Sequence, residues 1–241
     1  MPGMARRTTA PVSRRERPAK PALTRAGIVA AAVGIMQAEG LERVTMRRLA
    51  ERLDTGAASL YVYLRNTAEL HAAILDELLA SVDLSPAAPD PGPEAGDWRA
   101  RLIALLRSYT GVLFEHPSLA QAALVIRPSG PHFLDLFEAV LRLLAAGGVP
   151  DKQAAWGADL LLHLATSTAA EQGTREQAAA APGEEELLAA AIRDAPAGRY
   201  PRIAALGADL MSGPGSDRFD WAISATITGI ARTRRPRQPR S

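Results

Sequence analysis

The sequence contains no cysteine and no arrangement of residues typical of a reactive centre. Without thiolates, disulfide bonds and sulfur-ligated metal sites are excluded. An enzyme could still use His116, Asp159, His163 and Glu171 as a metal or acid–base cluster. However, the sequence has no tight His-Glu-x-x-His spacing, no glycine-rich phosphate loop and no nucleophile elbow. We therefore predict a protein that is not an enzyme and that has neither a metal site nor a cofactor.

The chain also lacks long apolar runs. None approaches the roughly 20 residues that a membrane-spanning helix needs, and the N-terminus has no apolar segment of a signal peptide. We therefore expect a cytoplasmic protein with no membrane partner. Its 241 residues are enough for one large or two small domains, each with a hydrophobic core.

The net charge of +2 hides an uneven distribution, because the basic residues collect at the two ends. Residues 1–25 contain seven basic side chains against Glu16 alone, and residues 232–240 add five without an acid. We predict a disordered basic arm over 1–21 and a disordered basic tail over 233–241. A basic arm of this kind could follow the phosphates of a nucleic acid or enter its minor groove. The alternative, a merely solubilising arm, stays open.

Start and stop signals divide residues 22–83 into short helices. Thr24 and Thr45 are each suited to cap a helix, and each is preceded by an apolar residue that can pack against another four positions into the helix. Gly40 ends the first helix. The apolar positions of that helix repeat every three to four residues, as expected for one buried face; they are Ile28, Ala32, Ile35 and Met36.

A tight turn follows the second helix. Asp54-Thr55-Gly56 suits it because Asp tolerates the left-handed conformation and Gly adopts it freely. The predicted third helix contains Ser59, Leu60, Tyr61, Tyr63 and Leu64. Asn66 then caps a fourth helix, and Glu69 completes a capping box. Two short helices joined by such a turn indicate a helix-turn-helix, which places its second helix in the major groove of DNA.

Three segments of this region carry a family resemblance: Leu49-Ala50, residues 59–66 and Glu69-Leu70. They resemble the DNA-binding domain of the tetracycline-repressor (TetR) family. The resemblance implies a homodimeric transcriptional regulator whose second domain binds a ligand and controls affinity for a double-stranded DNA operator. One departure is Thr67, where the family usually has a phosphate-binding Lys; the hydroxyl remains but the charge is lost.

The predicted DNA contacts divide into base contacts and backbone contacts. Arg47 is the best candidate for reading a base because Arg can bond bidentately to guanine. Thr45 and Arg48 are expected to position the backbone. Of Tyr61 and Tyr63, one commonly packs in so short a bundle. The full predicted set is Thr45, Arg47, Arg48, Thr55, Gly56, Ala57, Ser59, Tyr61, Tyr63 and Thr67.

The remainder, residues 84–232, is predicted to be a larger helical domain for ligand binding and dimerisation. No segment shows sustained strand alternation, so the fold class is all-α. A Pro-rich connection over 85–96 precedes the first helix of this domain. Apolar periodicity predicts helices over residues 97–116, 118–126, 131–146, 151–171, 184–193 and 217–231.

This second region resembles the C-terminal class of the tetracycline repressor itself. The resemblance rests on residues that occur in the same order, which are Trp98, His116, Arg127-Pro128, Gly147-Gly148, His163, Thr166 and Glu171. It implies that the helix from Asp151 and the final helix form a four-helix dimer interface. It also implies a cavity between the Trp98, Phe133 and Asp151 helices.

Departures from that class argue against tetracycline as the ligand. Ala123 stands where drug-binding members have a metal-ligating His, and Leu105 replaces a polar group. We predict instead a small hydrophobic effector that releases the repressor from a pseudo-palindromic operator. A regulator controlled by a protein partner, or with no small-molecule ligand, is the alternative. The predicted ligand contacts are Tyr109, Ile126, Arg127, Leu136, Asp159 and His163.

Two of these residues could instead have purely structural roles, and these alternatives stay open. His163 could be a core residue whose polar groups are satisfied within the protein. Arg127 could pair with Asp135 or Glu138 and fasten the turn before Pro131.

Overall fold

The structure, a computed structural model, describes residues 22–89, 97–126, 128–178 and 183–236. Within these ranges the protein is all-helical and contains no strand. The predicted basic arm, Arg127 and the last five residues of the predicted tail lie outside the described residues. The α-helices are α1 (Arg25–Glu39), α2 (Met46–Arg52), α3 (Ala57–Leu60), α4 (Thr67–Leu79), α5 (Trp98–Phe114), α6 (Pro117–Ala123), α7 (Pro131–Ala146), α8 (Asp151–Ala178), α9 (Glu184–Arg193), α10 (Pro201–Leu210) and α11 (Gly215–Arg232).

The first two helices begin at the predicted caps. The Thr24 hydroxyl accepts a hydrogen bond from the Gly27 amide at 3.1 Å, and the Thr45 hydroxyl accepts one from the Arg48 amide at 3.1 Å. Gly40 ends α1 with φ +94°, a left-handed value that favours glycine. Local side-chain chemistry therefore sets these boundaries, as the sequence indicates.

The turn between α2 and α3 uses Asp54 where glycine would also fit. Asp54 has φ +48°, whereas Gly56 is extended and forms the N-cap of α3. The third helix is shorter than predicted, because regular α-helix ends at Leu60 and a turn follows. Tyr61, Val62 and Tyr63 are weaker helix formers than the alanines before them, which is consistent with this early end.

The capping box at α4 is displaced by one residue. The Glu69 amide donates to Asn66 Oδ1 at 2.8 Å, as predicted. The Glu69 carboxylate accepts from the amide of Arg65 at 2.8 Å, rather than from Asn66. From this capped start α4 runs between α1 on one side and α5, α6 and α7 on the other. It is therefore the element that carries the helix-turn-helix to the rest of the protein.

The helix-turn-helix has a small, fully buried core. Leucine and isoleucine from the four helices and from the turn after α3 are shielded completely, namely Ile28, Leu49, Leu60, Leu64, Leu70 and Ile74. Helices as short as α2 and α3 are marginal alone in water, so their stability comes from this packing. The orientation of the recognition helix thus depends on a few large apolar side chains.

The second half of the chain is built around α5 and α8. These two helices pack along each other, and α6, α7 and α11 each pack against both of them. Close approach of α11 to α8 requires Gly157, where a Cβ atom would lie 2.6 Å from Ile230 Cγ2. Gln153 fastens the same junction by donating to the carbonyls of Ile230 and Thr233 at 3.2 and 2.8 Å.

The helices of this half differ from prediction at three places, one of which is α10, a helix that was not predicted from the sequence. The predicted helix from Asp151 to Glu171 continues as α8 to Ala178, and the predicted helix 118–126 begins at Pro117 and ends at Ala123. The helix over 184–193 is confirmed. In the described part of the chain, no helix is both long enough and apolar enough to cross a membrane.

Candidate DNA interface and regulatory site

The predicted base-reading residue is freely accessible on α2. The Arg47 side chain is 89% exposed, and its Nε lies 3.9 Å from Glu51 Oε1. An exposed ion pair of this length contributes little, so the guanidinium can leave it without a large cost. Ser59 and Tyr61 are also exposed on α3 and just after it. Together these side chains form a surface suited to a DNA groove.

Arg48 on α2 forms an ion pair with Glu39 on α1 at the protein surface. Its Nε donates to Glu39 Oε2 at 3.1 Å, and its second guanidinium nitrogen donates to Glu39 Oε1 at 2.5 Å. Hydrogen bonding to Arg48 lowers the pKa of Glu39. This bidentate pair fixes α2 against α1, so Arg48 is placed to orient the helix rather than to reach a base.

The two tyrosines differ in their surroundings. The Tyr63 hydroxyl donates to the backbone carbonyl of Leu23 at 2.8 Å, which ties the turn after α3 to the start of α1. Tyr61 is 52% exposed, and its hydroxyl has no comparable hydrogen bond to another described residue. Of the pair, Tyr61 is therefore better placed to reach DNA.

The remaining predicted DNA contacts lie just before or at the start of α3 and at the start of α4. Thr55 and Ala57 are half-buried around the exposed Gly56, and Thr67 is exposed in the first turn of α4. Sequence reasoning missed Arg65, whose side chain is 90% exposed just before that turn. A positive charge two residues before Thr67 was the feature of the sequence that could have indicated this candidate. Arg65 therefore places an exposed cation near the start of α4, where Thr67 has no charge.

Replacing Arg47 should alter sequence preference more than general DNA affinity. We expect Arg47→Ala to cost about 1–3 kcal/mol on the operator and to relax preference at one base pair in each half-site. Selection from random DNA, followed by affinity measurements on single-base variants, checks this. Thr67→Lys is the contrasting control, because a new phosphate contact should tighten binding to all sequences and steepen the salt dependence. An unchanged base preference in Arg47→Ala would refute the assignment.

His71 is a titratable group inside the helix-turn-helix. It is half-buried on α4 and hydrogen-bonds to the backbone of Val44, immediately before the cap of α2. Its Nε2 is buried and has no hydrogen-bond partner among the described residues. Burial lowers the pKa of His71 below its ordinary value of 6.5. The folded state therefore favours the neutral imidazole.

We expect acid to destabilise the protein partly through His71. Because the folded-state pKa lies below the unfolded one, the unfolded state binds more protons between the two values. This contribution to the free energy of unfolding is complete above pH 6.5 and is lost as the pH falls toward the lowered folded-state pKa. Urea unfolding across this range, compared with His71→Gln, isolates the effect from the other histidines. Parallel curves for the two proteins would contradict it.

The predicted ligand-binding residues are divided between the interior and the surface. Tyr109 is buried on α5, and its hydroxyl lies 2.6 Å from the Thr166 hydroxyl on α8. Burial raises the pKa of Tyr109. Leu136 is fully buried and Ile126 half-buried, whereas Arg127 lies outside the described residues.

Asp159 and His163 are exposed in a single copy of the chain and are not enclosed with Tyr109. They share the outward face of α8 with Trp156 and Leu160, because positions three, four and seven residues apart lie together on a helix. Helical periodicity placed them on α8 but did not indicate which of its faces is covered. Thr166, whose hydroxyl does contact Tyr109, is a buried polar residue on the inward face of α8.

A separate cleft of about 300 Å³ lies where the helix-turn-helix meets the second half of the chain. None of the predicted ligand-binding residues lines it. Its walls come from the end of α1 and the α5–α6 junction, and the lining residues are Met36, Gln37, Gly40, Leu41, Glu115, His116, Pro117, Ser118 and Leu119.

Two family descriptions match this chain and together span most of the described helices. Residues 28–74 match "Bacterial regulatory proteins, tetR family", which covers α1 to the middle of α4. Residues 90–234 match "Tetracyclin repressor-like, C-terminal domain" and cover α5 to α11. The gap between the two matches, residues 75–89, covers the end of α4 and the segment that follows it.

Individual proteins resemble the chain over nearly its full length. An HTH-type transcriptional repressor, DrrR1 of Streptomyces coeruleorubidus, is 33% identical over 88% of this chain and 78% of its own. The crystal structure of a Streptomyces coelicolor transcription regulator, SCO7704, is 51% identical, covers 91% of this chain and 100% of its own, and gives a TM-score of 0.75. ActR of Streptomyces coelicolor, solved in complex with actinorhodin, is 33% identical. It covers 87% of this chain and 97% of its own, and gives a TM-score of 0.73.

Proposed function

This chain belongs to the TetR family of bacterial regulatory proteins, and we propose that it is a homodimeric repressor released from a pseudo-palindromic operator by a small hydrophobic effector. Residues 22–83 would bind DNA, and residues 84–232 would bind the effector and the second subunit. The observation that carries the proposal is the exposed reading surface of α2 and α3 mounted on α4, which packs directly against α7.

Dimerisation is needed because the recognition helix is too small to be specific alone. α3 has four residues, and its two alanines offer no side-chain hydrogen bonds to bases. We call the α2–α3 unit of each subunit a reader. Two readers related by a two-fold axis discriminate between DNA sequences far better than one reader does. The operator should therefore consist of two related half-sites.

A surface suited to the second copy lies on α8 and α11. Trp156 and Leu160 on α8 are 53% and 50% exposed, and Trp221 on α11 is 74% exposed. Ala225 and Gly229 continue the exposed stripe of α11 below Trp221, and such small residues allow a close helix approach. Exposed aromatic and leucine side chains on two adjacent helices are typical of an interface that is covered in the assembly.

The effector would bind between α5, α7 and α8. The related ActR has been solved in complex with actinorhodin, which is consistent with a small-molecule effector. These three helices contribute buried apolar side chains such as Leu105, Leu136 and Leu162. The Tyr109–Thr166 hydroxyl pair is the polar feature available for orienting a ligand there. A mostly apolar molecule with one polar group fits this chemistry.

Control would operate as a shift between two arrangements of the dimer. Effector binding favours an arrangement in which α4 swings and moves the two readers away from half-site spacing. A coupling of about 1–3 kcal/mol, common for allosteric proteins, is sufficient for a useful response.

DNA selection followed by an effector screen tests this function. Wild-type protein should select a two-fold-related site of roughly one and a half to two helical turns and protect it in footprinting. A thermal-shift library of hydrophobic metabolites and antibiotics, with actinorhodin included, should then yield compounds that both stabilise the protein and release the DNA. Selection of an asymmetric site by a monomer would refute the repressor model. Compounds that stabilise the protein without altering operator affinity would favour control by a protein partner.

A further inference from the structure

Asp76 is a charged residue in an apolar part of α4. Its side chain is only 7% exposed, and the neighbouring Leu75 and Leu79 are buried as well. Burying a carboxylate is costly unless hydrogen bonds or charges compensate it. Asp76 Oδ1 accepts a hydrogen bond from the backbone amide of Phe133 at 2.9 Å, on a helix 57 residues further along the chain.

The contact supplies a cap that α7 lacks in its own sequence. The N-cap of α7 is Gly130, which has no side chain, and the first helical residue is Pro131, which has no amide hydrogen. The carboxylate of Asp76 takes the place of a capping side chain and meets the positive end of the α7 dipole. A residue on one helix therefore completes the N-terminus of another.

Gly130 is required for this approach. A Cβ atom added there would lie 2.0 Å from Asp76 Oδ2 and 2.2 Å from Cγ. Both distances are far shorter than real Cβ contacts, so any other residue at 130 would displace the carboxylate or the turn. Asp76 and Gly130 thus fit each other as a pair, which we call the α4–α7 cap.

The α4–α7 cap lies between the DNA-reading helices and the region proposed for the effector. α4 carries the reading helices, and α7 provides Leu136 to the region proposed for the effector. Phe133, whose amide is bound, packs its ring against Phe137 one turn later at a centroid distance of 5.9 Å. The first turn of α7 is therefore joined to α4 by the hydrogen bond from Phe133 to Asp76.

We propose that Asp76 is the positioning residue that fixes the reader-bearing α4 to α7 and so sets the separation of the two readers in the dimer. This inference rests on the proposed function, because reader separation matters only for a two-fold operator. Asp76 does not touch DNA in this scheme. Its effect is on the geometry of binding, not on base recognition.

Four variants separate the positioning role from simple loss of stability. Asp76→Ala removes the cap, Asp76→Asn retains an oxygen acceptor without the charge, and Gly130→Ala displaces the carboxylate. The double variant Asp76→Ala/Gly130→Ala removes the clash along with the carboxylate, so its effects should be clearly less than additive. Glu77→Gln is the matched control, since Glu77 is the next residue on α4 and is exposed.

The measurement is affinity for a series of operators that differ only in the spacing of their half-sites. DNA selected by wild-type protein provides the half-site, and spacers are shortened or lengthened by one and two base pairs. Wild type and Glu77→Gln should prefer one spacing. For each protein we compare the affinity for the best spacing with the affinity for the other spacings. In Asp76→Ala and Gly130→Ala this affinity ratio should fall by roughly fivefold or more, which is the lower range of allosteric coupling. Base preference within each half-site should stay unchanged.

The outcomes distinguish this inference from the proposed function. If wild-type protein selects no two-fold site, the repressor model fails and the positioning role fails with it. If wild type shows a sharp spacing preference and folded Asp76→Ala and Gly130→Ala proteins retain it, only the positioning role is overturned. A lower unfolding temperature with an unchanged spacing profile counts as that second result.

Discussion

Trp156→Glu combined with Leu160→Glu should turn the protein into a monomer and weaken operator binding by roughly 10²- to 10⁴-fold. Both side chains are about half exposed on α8, in the stripe assigned to the second subunit. Two buried carboxylates facing their symmetry mates would oppose association, because desolvation and repulsion act together. Without the dimer, each reader binds its half-site alone and the gain from a linked second contact is lost. Sedimentation and fluorescence anisotropy on the selected operator measure the two effects.

The control for this variant places the same charges elsewhere. Val125→Glu combined with Leu134→Glu also introduces two acids at exposed apolar positions, 84% and 60% exposed, but off the α8–α11 stripe. This protein should remain a dimer and bind with nearly normal affinity. A monomeric Trp156/Leu160 variant that still binds the full operator as tightly as wild type would refute the interface.

Leu60→Ala should destabilise the helix-turn-helix by about 2–5 kcal/mol and abolish specific DNA binding. Leu60 is fully buried and is the last residue of the four-residue α3. Since such a short helix has little stability of its own, losing its main buried side chain should release α3 from α2. Helices α5 to α11 should persist, so the protein should still dimerise. Amide hydrogen exchange resolves the local loss of protection from global unfolding.

Val62→Ala provides the matched control for the core substitution. Val62 lies two residues away and is 80% exposed, so its truncation should change the free energy of unfolding by no more than about 0.5 kcal/mol. Equal loss of protection in α3 for both variants would contradict the assigned role of Leu60.

The sequence by itself determined the local features of this protein. Thr24, Thr45, Asn66 and Asp97 cap their helices through bonds to amides three residues away. Such interactions depend only on neighbours in the chain, so residue type and spacing are enough to predict them. The same holds for the all-α class, for the helix over 184–193 and for the helix-turn-helix pattern with its exposed Arg47.

Only the tertiary structure decided which distant groups meet. Glu39 forms an ion pair with Arg48, and the Thr166 hydroxyl forms a hydrogen bond with the Tyr109 hydroxyl. Asp76 caps α7, which begins more than 50 residues further along the chain. Nothing in the spacing of these residues marks them as partners, because their distance is set by how helices pack. Helical periodicity likewise groups Asp159 and His163 with Trp156 on one face of α8 but cannot tell whether that face is covered. Coverage depends on the neighbouring helices and, in the proposed dimer, on the second copy of the chain.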